Sequence, residues 1–223
     1  MNLKKINEQI SLFKKDLLEP AYSYPQTIYE IQKHWQNLWD LEQLDFFEMY
    51  NTALENKTTR RFWVGENYEP KKMMLEFIKM EREFVREMFR DFFNNEKDLM
   101  SRMDRFVFHC DSLLEAYKSK NRSSVVNRHF HDDGYKMVSL YLSLEYPDSY
   151  AYFDRDSFEN FLAKVDAKFV AGINDIERYS KVSKIVFGFM QKDHEFMVAH
   201  FQRLNDESYK GLSMNLFFEM INR

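Results

Sequence analysis

A chain of 223 residues with 44% hydrophobic and 17% aromatic side chains is long enough to bury a core of its own, and its 22 Phe and 13 Tyr must fill much of it. Only 5 Gly and 4 Pro leave too few turn-formers for a sandwich or barrel of many short strands. A net charge of −4 and a pI near 5.9 exclude a global positive field for nucleic acid, so any such binding has to come from a local patch.

Leu3, Ile6, Ile10, Phe13 and Leu17 recur at three- and four-residue steps, predicting a first helix that ends before Pro20. With its connector this helix occupies 1–24. Ser23-Tyr-Pro-Gln26 reads as a capping box that opens a long helix through Ile28, Ile31, Trp35, Leu38 and Leu41, fading near Asn56. From Lys57 to Glu69 no period is sustained, and Gly65 marks a loop or a pair of broken turns. Pro70 then suits the first turn of a helix carrying Met74, Phe77, Ile78, Val85, Met88, Phe89 and Phe92, with a kink near Met80 to Arg82.

After the Asn94-Asn95 break, Leu99, Met103, Phe106, Cys110, Leu113 and Tyr117 form the next stripe, which gives way at 119–133. Helix resumes through Met137, Leu140, Tyr141 and Leu144 and stops at Tyr146-Pro147, because the residue before proline is pushed out of the α region. Beyond a tyrosine-rich connector, Asp156-Ser-Phe-Glu159 and Asn174-Asp-Ile-Glu177 read as helix starts, the second leading a stripe from Ile176 to Met190. A last helix is expected over Leu212 to Ile221. The fold class is therefore all-α, an irregular multi-helix bundle in one domain over 1–223, and any subdivision is expected near 119–133.

One cysteine excludes an internal disulfide framework and fits a reducing compartment. Cys110 sits among Phe106, Val107, Leu113 and Leu114, the setting of an inert core thiol. The N-terminal residues hold no apolar signal core, and no run of about 18 uncharged apolar residues occurs, so a cytoplasmic chain that spans no membrane is expected.

For chemistry, the scattered glycines build no Walker A loop, and neither a nucleophile elbow nor a zinc-type cysteine pair is present. No catalytic residue and no cofactor are expected. His129-Phe-His131-Asp132-Asp133 crowds metal-ligand types; joined by His109 and a distant Asp166 or Asp175, it would resemble the ligand set of a His-Asp phosphohydrolase. The plainer reading has Asp132 or Asp133 capping a helix that starts near Tyr135 while the histidines pack in the loop. Lys57, Arg60, Arg61, Phe62, Trp63, Tyr68, Lys71 and Lys72 mix cations with aromatics, as a surface must to hold phosphates and stack bases. A second basic run is Lys118, Lys120, Arg122 and Arg128. Either run also fits ordinary solvated surface, with Trp63 anchoring its loop in the core.

Several stretches taken together carry a resemblance: Trp63 with Pro70 to Ile78, Val85 to Phe89, Arg105 to Leu114, His129 to Asp133, Ser139 to Leu142, and Tyr146 to Tyr150 with Phe158 to Leu162. They resemble the helical N-terminal region of McrB-type AAA+ NTPases of modification-dependent restriction, over about Ile28 to Leu204. The resemblance implies a recognition or regulatory role beside an AAA+ motor domain and a McrC-type nuclease partner, with DNA as a further candidate partner. This sequence departs from the pattern in carrying no motor motif, and no base-reading residue of that family maps onto a position here. A non-catalytic helical recognition or adaptor module of a prokaryotic restriction or antiphage-defence system is the expected function. A phosphohydrolase or a purely structural scaffold are the alternatives.

Overall fold

The computed structural model describes residues 1–19, 27–55, 60–123, 125–169, 172, 175–204 and 212–221. Those residues form ten α-helices and no strand, an all-α fold. The helices are α1 (Leu3–Leu18), α2 (Thr27–Leu38), α3 (Phe46–Ala53), α4 (Pro70–Phe92), α5 (Leu99–Lys120), α6 (Lys136–Glu145), α7 (Arg155–Lys164), α8 (Ile176–Met190), α9 (His194–Leu204) and α10 (Leu212–Ile221). Contacts gather into two compact units, one made of Met1–Glu30 with Tyr146–Arg223, the other of Ile31–Glu145. The expected dividing segment at 119–133 lies inside the second unit. No helix among the described residues is long and apolar enough to cross a membrane.

In the first unit, α1 buries Ile6, Ile10, Phe13 and Leu17, while Leu3, at the end of the expected stripe, is exposed. Phe13 meets the rings of Phe196 and Phe217 at 5.6 and 5.7 Å, which ties α1 to α9 and α10. On its polar side the Lys14 ammonium pairs with Asp193 and Glu195 at 2.9 and 2.6 Å. Asp193 also accepts the Phe196 N–H at 3.0 Å and so caps α9, a helix the stripe count over the sequence does not pick out. Tyr179 of α8 packs against Phe153, Phe158 and Phe218, and its hydroxyl donates to the Tyr152 carbonyl at 2.7 Å. The start of α7 corrects the expectation at Asp156: the cap position is Asp154, and Asp156 lies in the first turn. Ser23 to Gln26 and Asn174 lie outside the described residues.

The second unit is built on α4 and α5. The single long helix expected from Ile28 to Asn56 is two helices, α2 and α3, joined by Trp39–Asp45. Two aspartates make the break: Asp40 accepts the Glu42 N–H at 2.9 Å in a local turn, and Asp45 caps α3 by accepting the Glu48 N–H at 3.0 Å. Phe89 is the hub of the core, with Trp39, Phe106 and Tyr141 at 5.1, 5.1 and 5.2 Å. The expected kink in α4 falls at Glu81 (φ −144°, ψ 61°). Glu81 occupies the step where the apolar stripe between Ile78 and Val85 would continue, and its carboxylate instead faces Lys120 at 3.2 Å. Buried Arg102 closes the other end of α4 by donating to the Phe92 carbonyl at 2.9 Å and to Asn95 at 3.0 Å.

Candidate functional site

The segment with the strongest cation-aromatic mixture folds as a 3-10 turn, Arg60–Phe62, followed by a turn in which Gly65 and Tyr68 exchange backbone hydrogen bonds at 3.0 and 3.2 Å. Lys57 and the Arg61 side chain lie outside the described residues. Arg60 is exposed, whereas Trp63 is only 2% exposed. An indole held in the core cannot stack on a base, so Trp63 acts as the anchor of its loop. The flanking cations are engaged close to home. Lys71 donates to the Asn51 carbonyl at 2.8 Å, and its burial lowers its pKa; Lys72 pairs with Glu69 at 2.8 Å. Phe62 and Tyr68 are half-buried, so among the described residues of this segment cations come together without a fully exposed aromatic face of the kind a single-strand binder stacks bases on.

The second basic run is likewise partnered. Lys118 pairs with Glu115 at 2.9 Å, and Lys120 with Glu81 at 3.2 Å. Arg128 stands 3.9 Å from Asp132, with its guanidinium 5.4 Å from the Phe130 ring centre. Arg122 is exposed at the end of α5.

The loop from His129 to Tyr135 holds three of the five positive-φ residues among the described ones. Phe130 and Tyr135 take positive φ of 67° and 54°, beside Gly134 at 58°. The strain is held by a chain of buried hydrogen bonds whose donors can be assigned. The His131 backbone N–H donates to His129 Nδ1 at 3.0 Å, so that nitrogen carries the lone pair and Nε2 carries the proton, which goes to Asp111 at 3.0 Å. His131 Nδ1 lies 2.8 Å from the His129 carbonyl and must be the protonated nitrogen, leaving Nε2 to accept from the Tyr141 hydroxyl at 3.2 Å. Tyr141 in turn meets the Tyr50 hydroxyl at 2.6 Å. Burial and the neighbouring His129 push His131 down to about 3, so its ring is neutral.

The plainer expectation for this loop needs one correction. Asp133 meets α6 through its carbonyl, which accepts the Lys136 N–H at 3.2 Å, and Asp132 faces Arg128 and His129. His129 and His131 are buried, so a phosphate ester has no access to them, unlike the open metal position that a hydrolase requires. His109 packs edge-on against Phe84 and takes no part in the network. Asp166 and Asp175 belong to the other unit, paired with Lys5 at 2.7 Å and Arg178 at 2.9 Å.

Two features escaped the reading of the sequence. Cys110, whose apolar neighbours in the sequence mark it as core filling, stands beside the histidine loop: its sulfur and one nitrogen from each of His129 and His131 all lie within 4.8 Å of one another. No spacing rule connects a mid-helix cysteine to a loop 19 residues on. The other feature is a pair of exposed aromatics, Phe84 at 44% and Phe108 at 64%, flanking His109 with ring separations of 5.2 and 5.8 Å. Phe108 was legible in principle, since two residues after Phe106 is the opposite side of a helix. Comparison of the chain with known protein families, with curated proteins and with solved structures finds no match.

Proposed function

We propose that this chain is a non-catalytic helical adaptor of a prokaryotic DNA-restriction or antiphage-defence NTPase system, and that it works by holding a protein partner. The observation that carries this reading is the Phe84–His109–Phe108 face on α4 and α5, two large exposed aromatics with the charged pair Asp91 and Arg105 close to His109. An apolar centre with a polar rim is the composition of a protein interface, and aromatics are its usual anchors. The resemblance to the McrB-type N-terminal region supplies the partner, an AAA+ motor subunit. Hydrolysis of nucleotide and cutting of DNA then belong to the motor and to a McrC-type nuclease. Direct DNA reading is the weaker form of the proposal, because Trp63 is buried and Lys71, Lys72, Lys120 and Arg128 face partners within the chain.

The test is co-expression of the tagged chain with the AAA+ NTPase encoded nearest to its gene. Co-purification is expected, with affinity lowered roughly thirtyfold or more in the Phe84→Ala, Phe108→Asp double variant and helical circular dichroism retained. Undiminished association in that variant overturns the assigned face. Absence of association, together with tight binding of duplex DNA by the chain alone at ~0.15 M salt, replaces the adaptor with a DNA reader.

A further inference from the structure

We infer that Cys110, His129 and His131 form a buried zinc-binding site, closed on its fourth side by Asp132, that pins the 129–135 loop to α5. The inference is independent of the adaptor reading. A thiolate and two imidazoles are the donor set that borderline-soft Zn²⁺ prefers, and all three groups are buried with their ligand atoms within 4.8 Å of one another. Tetrahedral zinc needs ligand atoms roughly 3.5 Å apart, so binding draws the three groups closer together.

The hydrogen bonds around the two rings add a second, separate argument. In a metal site each histidine binds through one nitrogen and donates the other N–H to a carboxylate or a backbone carbonyl, which fixes the tautomer. Both rings meet that condition here. His129 gives its Nε2 proton to the Asp111 carboxylate at 3.0 Å, and His131 gives its Nδ1 proton to the His129 carbonyl at 2.8 Å. The lone pairs are therefore on His129 Nδ1 and His131 Nε2. Asp132 has a carboxylate oxygen 4.0 Å from His129 Nδ1 and is half exposed, which gives an ion a route in. On binding, the Cys110 S–H bond breaks, its proton leaves to water, and the sulfur lone pair forms the bond to zinc. The two imidazole bonds replace acceptor contacts to the His131 N–H and the Tyr141 hydroxyl. Nothing is oxidised or reduced. With three protein donors buried and a carboxylate as the fourth, the ion is structural.

The full chain should be purified without chelator, analysed for metal, then stripped and titrated with Zn²⁺ against a chromophoric chelator and with Co²⁺ for its spectrum. About one ion per chain is expected. The cobalt form should show the intense sulfur-to-metal charge-transfer band and the visible d–d bands of a tetrahedral site. Cys110→Ser should lose the charge-transfer band. Asp111→Asn changes an exposed side chain and leaves the core intact, yet should weaken zinc binding by about tenfold or more through His129. His109→Ala, outside the cluster, should bind as the parent does. Lack of any zinc or cobalt binding by the correctly folded parent chain overturns the site. So does a charge-transfer band that survives Cys110→Ser, or a zinc affinity indifferent to Asp111→Asn.

Discussion

At the scale of single residues, burial decides what a side chain can do, and Trp63 is the clearest case. Its indole fills the core under an otherwise polar loop, so Trp63→Ala should cost about 3–5 kcal/mol and lower the melting temperature, while exposed Arg60→Ala should stay within roughly 0.5 kcal/mol. Thermal melts of the two variants check this, and a silent Trp63→Ala would return the indole to the surface. Glu145 shows the same rule acting on a charge. Its carboxylate accepts the Trp35 indole N–H at 2.9 Å, and burial raises its pKa despite that bond. A folded value above the unfolded one means that the unit is helped while the carboxyl is protonated and loses that help as pH rises through the folded value. Glu145→Gln keeps an acceptor for Trp35 and removes the charge. Its stability, measured by urea denaturation from about pH 4 to 7, should exceed that of the parent increasingly toward neutral pH. A constant difference across that range would contradict the burial argument.

At the scale of elements, helix ends follow local hydrogen bonding, whereas helix faces follow periodicity. The apolar stripes of α1, α4, α5, α6 and α8 were legible because each repeats at helical spacing over several turns. The break between α2 and α3 was not, since Leu38 and Leu41 continue the stripe across it and only the Asp40 and Asp45 side chains end one helix and start the next. Asp45→Ala should therefore cost about 1 kcal/mol by chemical denaturation, and Asp45→Ser should restore most of it. Equal stability of Asp45→Ala and the parent would mean that packing of Phe46 and Tyr50 alone sets the start of α3. The Glu81 kink was legible because a carboxylate sits on an otherwise apolar stripe. The cap of α7 falls two residues before Asp156 because Asp154 and Asp156 are equally good caps by residue type.

At the scale of the whole molecule, the sequence by itself determined the helical class, most helix faces, the absence of a Walker loop and the core placement of Cys110. Each of these depends on neighbours along the chain, where spacing and side-chain type carry the information. Only the tertiary structure decided which distant residues meet. It divided the chain into units at Glu30 and Glu145, a boundary that follows from pairing segments 146–223 with 1–30 rather than from any local composition. It buried Trp63. It also brought α3, α5, α6 and the 129–135 loop together so that Tyr50, Cys110, His129, His131 and Tyr141 share one network. The physical reason is that burial and ligand geometry are properties of packed surfaces, set by long-range contacts that leave no period in the sequence.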